Sequence, residues 1–508
     1  MSEGVGAVFA LELEYGGITM TSFTAASVVG FLTCFCSSLT DATKNVAARP
    51  ERAAGEHPAT IEVQTVAGGP ISTSATCSYD KFFGPNAEQV DWFGYAISID
   101  NGYALIAARG DDDNGNLSGA AHILRLDGKT WVPIQQISPL DAAEADEFGS
   151  AVGLHGDRAV VGAWRDDDMG TNSGSAYVFR LDGGSWVQEA KLTASDGLAG
   201  DGFGWSAAIS GDYVVVGAYA RDDRGFNTGA VYIYQRTGMV WSEQVKLLPL
   251  DVGLGDEFGY SVAIDGDTLV VGTPGYDFYR PDGGVIHVFQ RNGANWNFTA
   301  LLRSFDGFDD DRFGQSVTVR GDRLIGGSGG DGDAGPSRGS AYVLLSTPLG
   351  WVHEAKLTPG PIAAGDRLGG VALDGTTAAI GIYNEIQAPN SLGYVRIFRR
   401  AGTTWTAGPS LNDSLAVPDD RYGNAVALSG PLIITGSYYD SFPYHAGTIY
   451  SYWLDDSDDV DMRDFLLLQV CYNTPPGLDP CCSPFDTDQD GDVDLDDYAD
   501  FVPTMNGP

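Results

Sequence analysis

The sequence predicts an all-β fold, a seven-bladed β-propeller of four-stranded blades, with a small α-helical module after it. Three observations carry this. A Phe-Gly pair or close variant places its glycine at Gly94, Gly149, Gly204, Gly259, Gly314, Gly369 and Gly423, at spacings of 55, with 54 for the last. Each repeat holds four short β-type runs separated by turn residues, as in FGSAVGL, RAVVGAW, SAYVFRL and WVQEAKL between residues 148 and 192. The seventh repeat lacks a fourth run, and residues 75–83 (ATCSYDKFF), ahead of the first repeat, align with it, Lys81-Phe82 matching Lys191-Leu192. An isolated four-stranded sheet buries neither face, so seven of them pack side by side into a ring, and the N-terminal strand latches it.

The 508 residues carry 29 Lys+Arg against 68 Asp+Glu, a formal charge of −39, which excludes a nucleic-acid binder held by phosphate contacts. Aromatics at 11% exclude a disordered acidic chain. Residues 1–42 read as an export segment: the small and apolar run Ala25–Leu39 has the length of a secretory core and falls short of the ~20 residues of a spanning helix. A start at Met20 places that run where a signal belongs; no Lys or Arg precedes it, so a membrane-lying or misassigned segment stays open. Residues 43–74 mix Ala, Pro, Gly and charge without periodicity and read as a linker. No other stretch is long and apolar enough to cross a bilayer, so the mature chain is expected to have no transmembrane anchor and to be secreted or held at the cell surface.

The propeller spans 75–453. A Trp recurs 18 residues before each following repeat glycine, from Trp131 to Trp405, and with the repeat Phe it is expected to fill the space between blades. An Asp column lies three residues before each glycine (Asp91, Asp146, Asp201, Asp256, Asp311, Asp366, Asp420), either capping a turn through backbone N–H groups or binding metal. Alternation of strands puts the loops after strands two and four on one face. That face gathers Asp111, Asp112, Asp113, Asp166, Asp167, Asp168, Asp222 and Asp223, either a solvated surface or one that attracts Ca²⁺ or cationic ligands. The opposite face is nearly balanced in charge. His122 and His287 stand where other blades place a core Tyr, and no His pattern matches a zinc site.

Phe-Gly, then a run ending in Val-Val-Gly-Ala or VVGTPG (270–275), then Gly-Ala/Ser-x-Tyr-Val-Phe, resembles the FG-GAP repeat that forms the seven-bladed head of integrin α chains. In those heads some blades carry an Asp-x-Asp-x-Asp-Gly calcium loop between the first two strands. Here that connection is a bare Gly-Asp turn such as Gly156-Asp157, so the integrin calcium sites do not carry over.

Residues 454–508 form a separate module with fifteen Asp against one Arg. Asp486, Asp488, Asp490, Asp492, Asp494 and Asp497, with Gly491 at the sharp turn, have the ligand spacing of an EF-hand-type calcium loop. The same residues resemble a dockerin-type repeat, which implies docking onto a cohesin-like or cell-surface partner; a degenerate first loop begins at Trp453. Export favours a bridge from Cys471 to either Cys481 or Cys482. Together these features predict a non-enzymatic adhesion or surface-assembly protein that uses calcium and binds a protein or a polysaccharide. The alternative is a component of a polysaccharide-degrading system, since dockerin-like tails accompany glycoside hydrolases; against it, the carboxylates recur as columns instead of standing out as an isolated pair.

Overall fold

The computed structural model describes residues 79–454, apart from 86–87, 89, 278–279, 333–338, 361–365, 385–392, 413–419 and 441–445, together with two short strands near the N-terminus. Those two, Leu13–Tyr15 and Ile18–Met20, pair antiparallel within a unit of their own, Met1–Ile71. The export run at 25–39, the linker at 43–74, the six tail aspartates and the three tail cysteines lie outside the described residues. No helix among the described residues is long and apolar enough to cross a membrane.

Seven four-stranded antiparallel sheets make up the described part of the second unit, and together they form a seven-bladed propeller. In the second blade the strands are Phe148–His155, Arg158–Ala163, Ser175–Asp182 and Ser185–Leu192. The sequence reasons are visible in each. The second strand is a continuous apolar run buried on both sides, as a strand between two blades must be; the fourth alternates, because one of its faces meets solvent. The seventh sheet is completed from the other end of the chain: Tyr79–Phe83 pairs with Thr448–Trp453, Lys81 opposite Tyr450. The latch expected from residues 75–83 is therefore present. Trp453 ends the third strand of that blade opposite Leu432, so the position aligned with the start of a first calcium loop belongs to the propeller.

Blades meet through one apolar layer per interface. Val160, Ala176 and Val178 of the second blade pack on Phe203, Val214 and Val216 of the third, and Ile434 and Ile449 of the seventh pack on Phe93 and Ile106 of the first, closing the ring. The Trp column sits in this layer as expected: Trp186 is buried and meets Tyr103 of the preceding blade edge-on, ring centroids 5.7 Å apart. First strands pack against neighbouring first strands, which places them around the axis.

The glycine column before each third strand is a steric demand. Gly174 lies at φ +83° and bridges to Phe203 of the next blade, so a Cβ there would overlap the Phe203 carbonyl oxygen. The same approach lets the Phe203 amide donate to the Ser173 carbonyl at 3.0 Å, a backbone hydrogen bond repeated between other blades.

Candidate functional site

In the first five repeats the Asp three residues before the repeat glycine caps a turn, Asp91 accepting the Glu88 amide at 2.6 Å. Asp146 accepts the Ala143 amide at 2.9 Å, Asp201 the Leu198 amide at 2.7 Å, Asp256 the Gly253 amide at 2.6 Å and Asp311 the Phe308 amide at 2.6 Å. Burial pushes the Asp146 and Asp256 carboxyls up to about 6, against the lowering effect of those amides.

The aspartates of the loop after strand two divide by depth. Asp112, Asp167 and Asp222 are exposed, and the last two accept the amides of Asn172 and Asn227, which shapes the loop. Asp166 is buried, and a lysine from strand four of its own blade reaches it: Lys191 Nζ lies 2.8 Å from Asp166 and 2.7 Å from Asp141, and also binds Asp168. Tyr177 donates its hydroxyl to Asp166 at 2.8 Å. Burial would raise the Asp166 carboxyl, but Lys191, the Asp168 amide and Tyr177 together hold it below the usual carboxylate range.

The arrangement recurs. Lys246 binds Asp196 and Asp223 in the third blade, Lys356 binds Asp306 and Asp331 in the fifth, and Lys81 binds Asp440 in the seventh, each beneath the equivalent Tyr232, Tyr342 or Tyr450. Arg221 adds a second cation to the third blade, bound to Asp201 and Asp223. Among the described residues, no three His, Cys, Asp or Glu side chains are grouped to hold a metal ion. The acidic face is thus stitched by cations that rise from the strands below it.

Three blades lack the lysine; in the sixth, Ser410 holds its position and Arg396 that of the tyrosine, the guanidinium donating to the Ser410 hydroxyl at 2.7 Å. In the first, Gln136 replaces it, donating to Asp111 at 3.3 Å and to Asp113 at 3.0 Å, and His122 replaces the tyrosine. Without a cation, burial pushes the Asp111 carboxyl up to about 7 and the His122 imidazole down to about 4. In the fourth, Leu301 replaces the lysine; His287 is fully buried, its Nδ1 3.0 Å from Thr273 Oγ1 and its Nε2 3.6 Å from Asp251.

A third constellation, which sequence reasoning missed, lies at the axis on the same face. Arg109, at the end of strand two of the first blade, bonds Glu147 and the Tyr95 hydroxyl, and its guanidinium stacks within 4.6 Å of the Tyr95 ring and 5.6 Å of Trp164. Glu147 also accepts Trp164 Nε1 at 2.8 Å and pairs with Arg165 at 2.8 Å. The rings continue around the mouth: Trp164 to Trp205 at 5.2 Å, Trp205 to Tyr219 at 4.8 Å and to Tyr260 at 5.6 Å, and Tyr95 to Tyr438 at 5.1 Å. Arg312 pairs with Glu257 at 2.6 Å beside Tyr260. The available signal was a column that fails to repeat: the residue after the repeat glycine is Tyr95, Ser150, Trp205, Tyr260, Gln315, Gly370 and Asn424. Arg109-Gly110-Asp111 spells RGD, yet Asp111 is buried and Arg109 has 12% of its side chain exposed, so the tripeptide does not present itself as a free loop.

On the same face the loops expose large apolar side chains, Leu140, Leu198, Phe226, Leu250, Leu254, Phe305 and Phe308, interleaved with the aspartates.

No curated protein matches this chain. A crystal structure of a functionally unknown protein from Desulfotomaculum acetoxidans DSM 771 is similar at 13% identity with a TM-score of 0.39, over 62% of this chain and 85% of that one. The FG-GAP repeat model matches residues 80–124, 131–179, 186–234, 241–289 and 296–344. The chain carries FG-GAP repeats, and they build a seven-bladed propeller.

Proposed function

We propose that the protein is a secreted or surface-held, non-enzymatic binding and adhesion module. The face formed by the loops after strands two and four is its recognition surface, and the tail is its calcium-dependent attachment. One observation carries the reading: the cores repeat blade after blade, whereas the axial mouth joins Tyr95, Trp164, Trp205, Tyr260 and Tyr438, from five blades, with Arg109 and Arg165 into one aromatic and guanidinium cluster. Repetition satisfies the fold; the departure from it is what a ligand reads. Exposed apolar loops on the same face add the contact area an interface needs. Many buried carboxylates of this face, such as Asp146, Asp166 and Asp331, are engaged by capping amides or cations, which supports a binding role over glycosidic hydrolysis. In the tail, Asp486, Asp488, Asp490, Asp494 and Asp497, with the carbonyl of Asp492, hold one Ca²⁺, and the tail docks a cohesin-like or cell-surface partner.

The test uses the full chain in pull-downs from the producing cell's envelope, with calcium or with chelator. Arg165→Ala/Arg312→Ala, on the half-exposed rim of the mouth, is expected to abolish the capture that persists in chelator; Asp486→Ala/Asp497→Ala is expected to remove only the calcium-dependent part. Calorimetry should show one Ca²⁺ site lost in the tail variant. Unchanged calcium uptake there refutes the tail assignment, and hydrolysis of a polysaccharide panel that disappears with a single carboxylate refutes the non-enzymatic reading.

A further inference from the structure

The seven repeats supply an internal control at every position, and one interface departs from it in a concerted way. In the first three blades the loop after strand two carries a glycine, Gly115, Gly170 or Gly225, at φ between 128° and 134°. There the loop closes onto the next inter-blade loop: a Cβ on Gly170 would sit 3.1 Å from the Ala199 side chain, 3.4 Å from Glu144 for Gly115, and in overlap with Leu254 for Gly225. The fourth blade puts Arg280 at this position. On the facing loop, the buried Val252 of the third interface is replaced by Gly307, and Thr193 or Leu248 by Arg303. A gap opens where these contacts close the first three interfaces. It is a cavity of about 290 Å³ lined by Tyr276, Arg280, Arg303, Phe305, Gly307 and Phe308 among others.

The walls are built rather than loose. Phe305 meets Tyr342 edge-on at 5.6 Å and His353 at 5.2 Å, while Asp306 beside it is tied to Lys356 at 2.8 Å and to the Tyr342 hydroxyl at 2.7 Å. Arg280 has over half of its side chain exposed and lies over the Phe308 ring at 6.0 Å, with Asp309 3.8 Å away. Two arginines thus line a cavity in the acidic face of the propeller.

We propose that this cavity binds one uronic acid residue of a largely neutral saccharide. A guanidinium fork matches a carboxylate, and flat aromatic walls match the apolar face of a pyranose ring. The volume lies at the low end of the roughly 300–1,000 Å³ usual for small-molecule sites, which suits a single ring. Apart from its aromatic rings and Val285 the lining is arginine, the Ser304 hydroxyl and glycine backbone, so a hydroxyl-bearing ring keeps those groups hydrogen-bonded where an aliphatic acid would strand them. The surrounding negative charge sets the second half of the specificity: it repels a polyuronate whose charges lie within a Debye length, about 8–10 Å, of its neighbours, and leaves an isolated uronate unpenalised. This site is separate from the axial mouth, and its failure leaves the adhesion reading untouched.

The experiment is calorimetric or NMR titration of the full-length protein with methyl glucuronide, methyl glucoside, inorganic phosphate and polygalacturonate. Methyl glucuronide is expected to bind at least tenfold more tightly than each of the other three. Arg280→Gly/Arg303→Thr, which restores residues other blades use, is expected to cost at least tenfold for the glucuronide with an unchanged melting temperature. Gly307→Val refills the cavity as Val252 does and is expected to abolish binding. Equal affinity for glucoside or for phosphate, or no loss in the Arg280→Gly/Arg303→Thr variant, overturns the proposal.

Discussion

The first and second blades place the same buried aspartate at the same position and give it opposite surroundings. Asp166 has Lys191 and Tyr177; Asp111 has Gln136, with His122 standing where the tyrosine would be. The backbone is the same in both, down to the aspartate that accepts the amide two residues on, at 3.0 Å for Asp166 and 3.1 Å for Asp111. The cation differs, and with it the ring beside the carboxylate. The cation's presence holds one carboxyl below its ordinary range, and its absence lets burial push the other up to about 7. The acidity of this face therefore depends on a lysine chosen blade by blade, and the formal charge of −39 overstates what the first blade presents at neutral pH.

The largest expected effect comes from turning the second blade into an uncompensated version of the first. Lys191→Met leaves Asp166 buried without its cation while Asp141 and Asp168 remain nearby. Removing one partner of a buried pair costs about 3–5 kcal/mol; Lys191 keeps 18% of its side chain exposed, so the lower part of that range, about 3 kcal/mol, is expected at pH 7. Thermal unfolding followed by circular dichroism measures it. Asp166→Asn on the same background should restore most of the loss, and a single variant as stable as the parent would mean the lysine is ornamental.

How much of this was legible in the sequence follows from where each signal sits. The fold was, because Phe148, Trp186 and Gly174 recur at fixed spacing and each has one steric task. The turn-capping role of Asp146 was, because it is local and repeats. The stitching of the acidic face was not: Lys191 belongs to strand four, and sorting charge by loop leaves a strand residue out although its side chain reaches the loop carboxylates. The axial cluster escaped for the opposite reason. Tyr95, Trp205 and Tyr260 share a column but not a residue type, and a search for repetition passes over positions that vary. Arg280 and Arg303 were hidden in the same way.

A milder change moves the first blade toward the second. Gln136→Lys sets an ammonium group where Lys191 sits in its neighbour, within reach of Asp111 and Asp113. The Asp111 carboxyl should fall from about 7 toward the ordinary range. At pH 8 the expected gain is about 1–2 kcal/mol, since a charged hydrogen bond is worth roughly 1.5–3 kcal/mol and the lysine loses side-chain freedom. Carbon-13 NMR of the carboxyl gives the titration and thermal unfolding the stability. A carboxyl that still titrates near 7 beside the new lysine would show that burial alone, and not the missing cation, sets its value.

The smallest effect concerns pH, where two groups of the first blade oppose each other. Asp111 is raised, so between about 4 and 7 the folded state holds more protons than the unfolded one, and this term lowers stability as pH rises. His122 is lowered to about 4, so between about 4 and 6.5 the unfolded state holds more protons, and this term raises stability with pH. The two slopes cancel over their shared window, so this pair contributes a decline only above about pH 6.5. Asp111→Asn removes one of them. Relative to the parent, its stability should rise with pH between about pH 4 and 7 and keep a constant offset above, read as the difference in melting temperature against pH. Superimposable profiles would mean that Asp111 does not take up the proton that its cation-free burial implies, and the contrast between the two blades would shrink to packing.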